Sequence, residues 1–156
     1  MAVVITVQLR GDKELQAALK RPDLISAPVQ RFLQRSSFSI EAQAKLNSPV
    51  DTGRLRSSIN TRISGNLAKV GTNLKYAPHV EYGTRPHFPP LAALQPWARR
   101  HGFGAGGAFM VARTIALRGT RATRFFGRAI ESNQQNIQRF AQQMSTEIAQ
   151  AIRRRG

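Results

Sequence analysis

The chain opens with apolar residues at every second position, at Val3, Ile5, Val7 and Leu9. This period of two predicts a β-strand. Gly11-Asp12 ends the strand, and Asp12 can cap a short helix over residues 13–21, which stops at Pro22.

The apolar period then changes to that of a helix. Spacings of three, four and seven predict a long central helix from about Asp23 to Leu46, ended by Ser48-Pro49, with apolar positions at Ile25, Val29, Phe32, Leu33 and Ile40. Two short strands follow over residues 57–65 and 66–73, joined by a turn at residues 64–66. Residues 57–73 are therefore predicted to form a β-hairpin.

Glycine and proline dominate the next part of the chain. "YAPHVEYGT" (76–84) predicts a helical turn ended by Gly83, "RPHFPP" (85–90) has no regular structure, and "LAALQPWARRHG" (91–102) predicts a short helix. "GFGAGGA" (102–108) predicts a mobile loop, and "FMVARTIALRG" (109–119) fits strand or helix. A long C-terminal helix follows, with its apolar stripe at Ile130, Ile137, Phe140, Met144, Ile148 and Ile152.

These elements predict one α+β domain over residues 1–156. A small antiparallel sheet packs against two long helices, one central and one C-terminal, with a Gly/Pro-rich loop region at about 83–108. No apolar run reaches the roughly 20 residues of a bilayer span. The N-terminus lacks the features of a signal peptide, so no membrane partner is expected.

The net charge of the chain indicates what kind of partner the protein binds. The net charge is +16, with 19 Arg, five Lys and only eight acids, and no acid lies between Tyr82 and Ile130. A solvated basic face is the simplest explanation, but a charge of this size favours an acidic partner, either nucleic acid or a protein surface. The absence of cysteine excludes disulfides and thiolate chemistry and suits assembly in a cytoplasm.

Catalytic signals are weak. His79, His87 and His101 lack metal-ligand spacing, and the glycine-rich segment lacks the Lys-Ser/Thr of a phosphate-binding loop. Asp51 and Glu81 are the only acids between Glu41 and Glu131, so a small hydrolytic enzyme using Asp51, Glu81 and His79 is the least favoured reading. We expect no cofactor, no metal and no enzymatic activity.

"RGTRATRFFGR" (118–128) spaces arginines by three and four residues. If this segment were helical, Arg118, Arg121, Arg124 and Arg128 would share one face. Such a face could follow phosphates without reading bases, or bind carboxylates of a neighbouring subunit. The sequence leaves both readings open, and a sequence-independent DNA-binding protein is the alternative function.

The segment "SPVDTGRLRSSI" (48–59) predicts a structural corner. Pro49 ends the helix, Asp51 or Thr52 can cap a new turn, and Gly53 permits a tight backbone. Leu55 and Ile59 would then enter the core.

The order of motifs resembles the head–tail joining, or tail-completion, family of minor tail proteins from long-tailed double-stranded DNA bacteriophages. The resemblance covers residues from about Phe32 to Ala149. After Pro90 the chain departs from the pattern of the family, and this difference marks an insertion-like region at about 90–120. The matching motif residues are Pro49, Asp51, Thr52, Gly53, Arg54, Leu55, Ser58, Ile59, Val70, Gly71, Thr72, Tyr76, Ala77, Val80, Glu81, Tyr82, Gly83 and Thr84.

The resemblance implies a structural virion protein of the neck, assembled in the host cytoplasm. It implies a ring, expected to be a hexamer, that contacts tail terminator, head-closure or tail tube subunits, with double-stranded DNA passing transiently through the lumen. The candidate interface or DNA-facing residues are Arg54, Arg56, Arg85, Arg99, Arg100, Arg113, Arg118, Arg121, Arg124 and Arg128. We expect acidic protein partners for most of them.

Overall fold

The computed structural model describes residues 2–6 and 22–154, with side chains described from residue 25 onward. In chain order the elements are β1 (Ala2–Thr6), α1 (Pro22–Asn47), α2 (Arg54–Ser58), β2 (Asn60–Ser64), β3 (Leu67–Gly71), α3 (Ala77–Tyr82), α4 (Leu91–Arg100), α5 (Gly107–Arg118) and α6 (Phe125–Arg153).

The two long helices, α1 and α6, pack against each other along their lengths in antiparallel orientation. Arg31, early in α1, donates to Glu147 near the end of α6, over 3.2 Å from its Nε. Asn47, the last residue of α1, donates to the carbonyl of Phe125, the first residue of α6, over 3.3 Å. Each helix thus has one apolar face covered by the other.

The sheet has three antiparallel strands in the order β1–β3–β2, so β3 is central. Ala2 pairs with Gly71 across β1 and β3, and Asn60 pairs with Gly71 across β2 and β3. Ala68 and Val70, two residues apart on β3, are fully buried, and the sheet packs on α1. This is the alternation expected when one face of a sheet covers a helix.

The core forms two clusters along the α1–α6 pair. The first joins the end of α1 and the start of α6 to α2, β3 and α3 through Ile40, Ala44, Leu55, Ile59, Val70, Ala77, Phe125, Phe126 and Ala129. The second joins the start of α1 and the end of α6 through Ile25, Val29, Phe32, Leu33, Ala68, Met144 and Ile148. The corner after α1 therefore lies on the first cluster.

Helices α4 and α5 pack on each other as a helical hairpin that spans residues 84–120. The two ends of the hairpin meet at its base. Thr84 and Thr120 form an antiparallel bridge with both backbone hydrogen bonds at 3.2 Å. Gly83 and Gly119 flank the bridge with φ of 72° and 69°, and a Cβ on Gly119 would lie 2.0 Å from the Thr84 carbonyl oxygen. Only glycine allows two backbones to approach this closely with positive φ.

The α+β architecture predicted from the hydrophobic pattern is confirmed. The predicted helices at about 23–46, 76–84, 91–102 and the C-terminus all form. The predicted hairpin also forms, but its strands are shorter than expected, and Ser57 and Ser58 belong to α2 instead of the first strand. Residues 109–118 of "FMVARTIALRG" are helical and lie in α5, which begins at Gly107, inside the segment predicted as a mobile loop. The predicted short helix at 13–21 and the strand positions Val7 and Leu9 lie outside the described residues.

The condition for a shared arginine face, a helix over residues 118–128, is not met. Residues 119–124 are not helical, so the arginines of 118–128 do not share a helical face. Arg118 ends α5, Arg121 and Arg124 lie in the connecting segment, and Arg128 is in α6. The crossing of Gly119 over the Thr84 backbone breaks the helix there, and the conditional spacing argument could not detect that contact.

Candidate functional site

The corner after α1 depends on backbone geometry and not on side-chain capping. Gly53 precedes α2 with φ 77°, and Leu55 and Ile59 are buried in the first core cluster. The expectation that Asp51 or Thr52 caps the new turn is wrong, because α2 has no side-chain cap. The Asp51 carboxylate is engaged elsewhere.

Asp51 binds the hairpin. Its Oδ1 accepts from Arg100 Nε over 2.9 Å, and its second oxygen accepts from another guanidinium nitrogen of the same residue. This bidentate pair connects the corner to the last residue of α4. The hydrogen bond from Arg100 holds the pKa of the Asp51 carboxyl below its ordinary value of 3.8.

Aromatic stacking continues from that ion pair into the hairpin. His101 lies 3.9 Å from the Asp51 carboxylate, and its ring stacks on Trp97 with centroids 4.2 Å apart. Trp97 also stacks on Phe103 at 5.6 Å. The end of α4 is therefore fixed both to the corner and to the segment that leads into α5.

A cleft of about 860 Å³ lies between α3 and the base of the hairpin. Most of its lining is apolar, but it brings together His79, Arg85, His87 and Arg121. Two of the candidate arginines thus meet at one cleft although they are 36 positions apart in the sequence. The charge run alone gave no signal for that pairing.

The outward face of α5 carries large apolar side chains. Phe109, Met110 and Leu117 are 52%, 64% and 69% exposed, and Arg113 is also exposed and lies on the same side of the helix. The opposite side, including Ala112, is buried. Spacings of three and four residues place Arg113 between the apolar residues.

The candidate arginines divide into two groups. Arg100 and Arg124 form ion pairs with Asp51 and Glu131, and Arg56 donates to the Lys45 carbonyl over 3.0 Å. The other seven have no ion pair or side-chain hydrogen bond within residues 2–6 and 22–154: Arg54, Arg85, Arg99, Arg113, Arg118, Arg121 and Arg128. All ten are exposed.

Comparison with known protein families gives a match over residues 12–83, to the family described as "Bacteriophage HK97-gp10, putative tail-component". We call residues 12–83 the HK97-gp10-like segment, after the family to which they are similar. The predicted resemblance to tail proteins of bacteriophages is confirmed, over a little under half of the chain. Searches of curated proteins and of solved structures return no match.

The HK97-gp10-like segment contains the corner, β2, β3 and α3 and ends at Gly83. It includes the predicted motif residues Pro49, Asp51, Thr52, Gly53, Leu55, Gly71, Tyr76, Tyr82 and Gly83. Its last residue is the glycine at the base of the helical hairpin, so residues 84–120 lie outside the match.

Glu81, two residues before the end of the HK97-gp10-like segment, caps α6. Its side chain is buried, and its two oxygens accept the backbone N–H groups of Phe126 and Gly127, each over 2.9 Å. A carboxylate at the first turn of a helix satisfies otherwise unpaired donors and suits the helix dipole. Sequence analysis missed this role, because no local pattern marks a cap supplied from 45 residues away.

The three residues considered for a hydrolytic enzyme, Asp51, Glu81 and His79, do not form a common site. Glu81 is occupied by backbone donors, Asp51 is bound to Arg100, and His79 lines the cleft. In the part of the chain that the structure describes, no cluster of three or more His, Asp or Glu side chains could hold a metal. None of the helices within residues 22–154 combines the length and apolar character needed to cross a bilayer.

Proposed function

We propose that this protein is a non-enzymatic structural component of a phage tail, which completes the tail or joins it to the head at the head-proximal end. The match of residues 12–83 to a tail-component family carries the proposal. Six copies form a ring in the neck of the virion, after synthesis in the host cytoplasm. The ring contacts neighbouring proteins such as tail terminator, head-closure or tail tube subunits.

Surface chemistry supports assembly by contact. A second set of exposed apolar side chains lies away from the hairpin, on α1 and the corner. Phe38, Leu46 and Val50 are each more than half exposed, and Phe38 and Leu46, eight residues apart, lie along one side of α1. A closed ring needs a heterologous contact between two different surfaces of each copy. We assign this strip to one side of the ring contact.

The observed chemistry of the acids argues against catalysis. Each of the five acidic side chains described is already bound: Glu41 to Lys45, Asp51 to Arg100, Glu81 to the α6 backbone, Glu131 to Arg124 and Glu147 to Arg31. A general base must be able to reach a substrate proton. An activity lost in Glu81→Gln, with the fold and stability unchanged, would favour the enzymatic reading instead.

Size-exclusion chromatography with light scattering tests ring formation directly. A ring of six copies of 17.3 kDa has a mass of about 104 kDa, and negative-stain images should show discrete rings. Leu46→Asp, in the exposed strip, should reduce the mass to that of smaller species, whereas Arg62→Asp on exposed β2 serves as the matched surface control. A purified protein that stays at 17.3 kDa, also in the presence of tail proteins of its phage, contradicts the ring.

Deletion of the gene from its phage tests the place of action. The proposal expects DNA-filled heads and tails that fail to join, with joining restored by the purified protein. Normal infectious particles from the deletion phage would contradict it.

Sequence-independent binding of duplex DNA is the second candidate function, and the seven arginines without an internal partner favour it. Binding through phosphates would weaken steeply with salt, since each neutralised phosphate releases counterions. Strong retention of duplex DNA at moderate salt, with a steep salt slope, would support this candidate. We expect weak retention, because tight binding throughout a lumen would slow DNA exit.

A further inference from the structure

We propose that the outward face of α5, formed by Phe109, Met110, Arg113 and Leu117, docks into an acidic, partly apolar surface of a different protein of the particle. The occupant is neither a second copy of this chain nor DNA. The inference rests on the proposed function, since it assumes that the chain is a particle component.

The face is built for contact with a protein. Three large apolar side chains are between 52% and 69% exposed within about three helical turns, and Arg113 lies between them at spacings of three and four residues. Phe88 adds to this surface through a tilted ring contact with Phe109, at a centroid distance of 6.2 Å. An exposed apolar patch of this kind marks an interaction site, and a helix can present it to a groove.

Charge then selects the partner. The hairpin contains no acid, because none occurs between Tyr82 and Ile130. Among the side chains that the structure describes, all five acids are bound, so a second copy could supply one of these carboxylates only by opening an existing contact. Two hairpins placed face to face would bring only basic side chains together, because neither contains an acid. A partner with free Asp or Glu side chains satisfies Arg113 without that cost.

The pattern of the face disfavours DNA and membranes. Interfaces with DNA are polar and strongly basic, and phosphates would not cover Phe109, Met110 and Leu117. Helices that lie on membranes separate an apolar face from a basic face. On α5 the apolar residues and Arg113 share one side, while the other side is buried against α4.

Photo-crosslinking in intact particles tests the inference. The photoreactive amino acid p-benzoylphenylalanine replaces Met110 during phage growth, and a matched substitution replaces Phe38, on the strip assigned to the ring contact. Purified particles are irradiated and the adducts identified by mass spectrometry. We expect position 110 to link to a different protein, at peptides containing Asp or Glu, and position 38 to link to a second copy.

Each outcome of the crosslinking experiment supports or overturns a stated part of the account. Adducts from position 110 to a second copy, to DNA or to lipid, or an absence of adducts in particles that contain the chain, overturn the inference. A chain missing from the particles overturns the proposed function and the inference together, whereas a failure of position 38 alone affects only the ring contact.

Charge variants supply an independent readout. Arg113→Glu would place a carboxylate against an acidic surface, so it should lower the yield of infectious particles by about tenfold or more. Arg113→Lys, which keeps the charge, should remain near wild type. Equal yields from both variants, with both chains folded, contradict the role of charge at this face.

Discussion

The buried carboxylate of Glu81 should be a main stabiliser of the C-terminal helix. Its two oxygens accept the N–H groups of Phe126 and Gly127, and the α6 N-terminus packs on the first core cluster. Glu81→Gln keeps one acceptor but places an NH₂ group against the other backbone donor. Glu81→Ala leaves both donors without a partner.

The geometry sets the size of the effect. Hydrogen bonds to a charged group contribute about 1.5–3 kcal/mol each, and a negative charge at a helix N-terminus adds about 0.3–1 kcal/mol. We therefore expect Glu81→Gln to lower the free energy of unfolding by about 2–3 kcal/mol. A buried donor left without a partner costs about 1–3 kcal/mol, so we expect Glu81→Ala, which leaves two such donors, to cost about 2–6 kcal/mol.

Urea denaturation followed by circular dichroism measures the change. With an m-value of about 2 kcal/mol/M, the midpoint of Glu81→Gln should fall by about 1 M while m stays constant. Glu131→Gln is the matched control, because Glu131 lies on the same helix in an exposed pair with Arg124, and such pairs contribute about 0–1 kcal/mol. If the two variants have equal midpoints, the carboxylate does not hold the helix and the reasoning is refuted.

Three further predictions concern the hairpin base, the corner and their connection. Gly119→Ala should lower the melting temperature well beyond Gly102→Ala, since both glycines have positive φ but a Cβ on Gly102 meets open space; equal losses would show that the close approach is unimportant. Gly53→Val should cost about 1–2 kcal/mol from backbone strain, whereas Arg54→Ala should fold normally, and a misfolded Arg54→Ala would contradict the corner. Because the pKa of Asp51 is lowered in the folded state, its contribution to stability is complete above the ordinary pKa of 3.8 and is lost as the pH falls through the lower folded value. Asp51→Asn should therefore remove that part of the pH dependence of the free energy of unfolding. An unchanged dependence on pH would contradict the ion pair with Arg100.

Local periodicity determined most of the fold. Apolar spacing in α1 and α6, the turn at residues 64–66 and the Ser48-Pro49 stop each act within a few residues, so the sequence predicts them. The state of residues 109–119 stayed open because their apolar pattern fits either a strand or a helix. Packing against α4 resolves it.

Long-range contacts could not be predicted in this way. The Asp51–Arg100 pair and the Glu81 cap join residues 49 and 45 positions apart, and a single sequence contains no local pattern for either. The same limit explains the wrong prediction of a capping role for Asp51. For the proposed docking face, the sequence indicated only the excess of arginine. The exposed apolar side of α5 could be identified only once the structure showed which side of the helix is buried.

Reconstruction of the intact virion tests the central claim most directly, through the position and copy number of this chain. Our account predicts one ring of six copies at the head-proximal end of the tail, with the 84–120 hairpin of each copy in contact with a different protein. A chain that is absent from the particle, or is distributed along the tail tube or placed at the distal tip, would contradict the account.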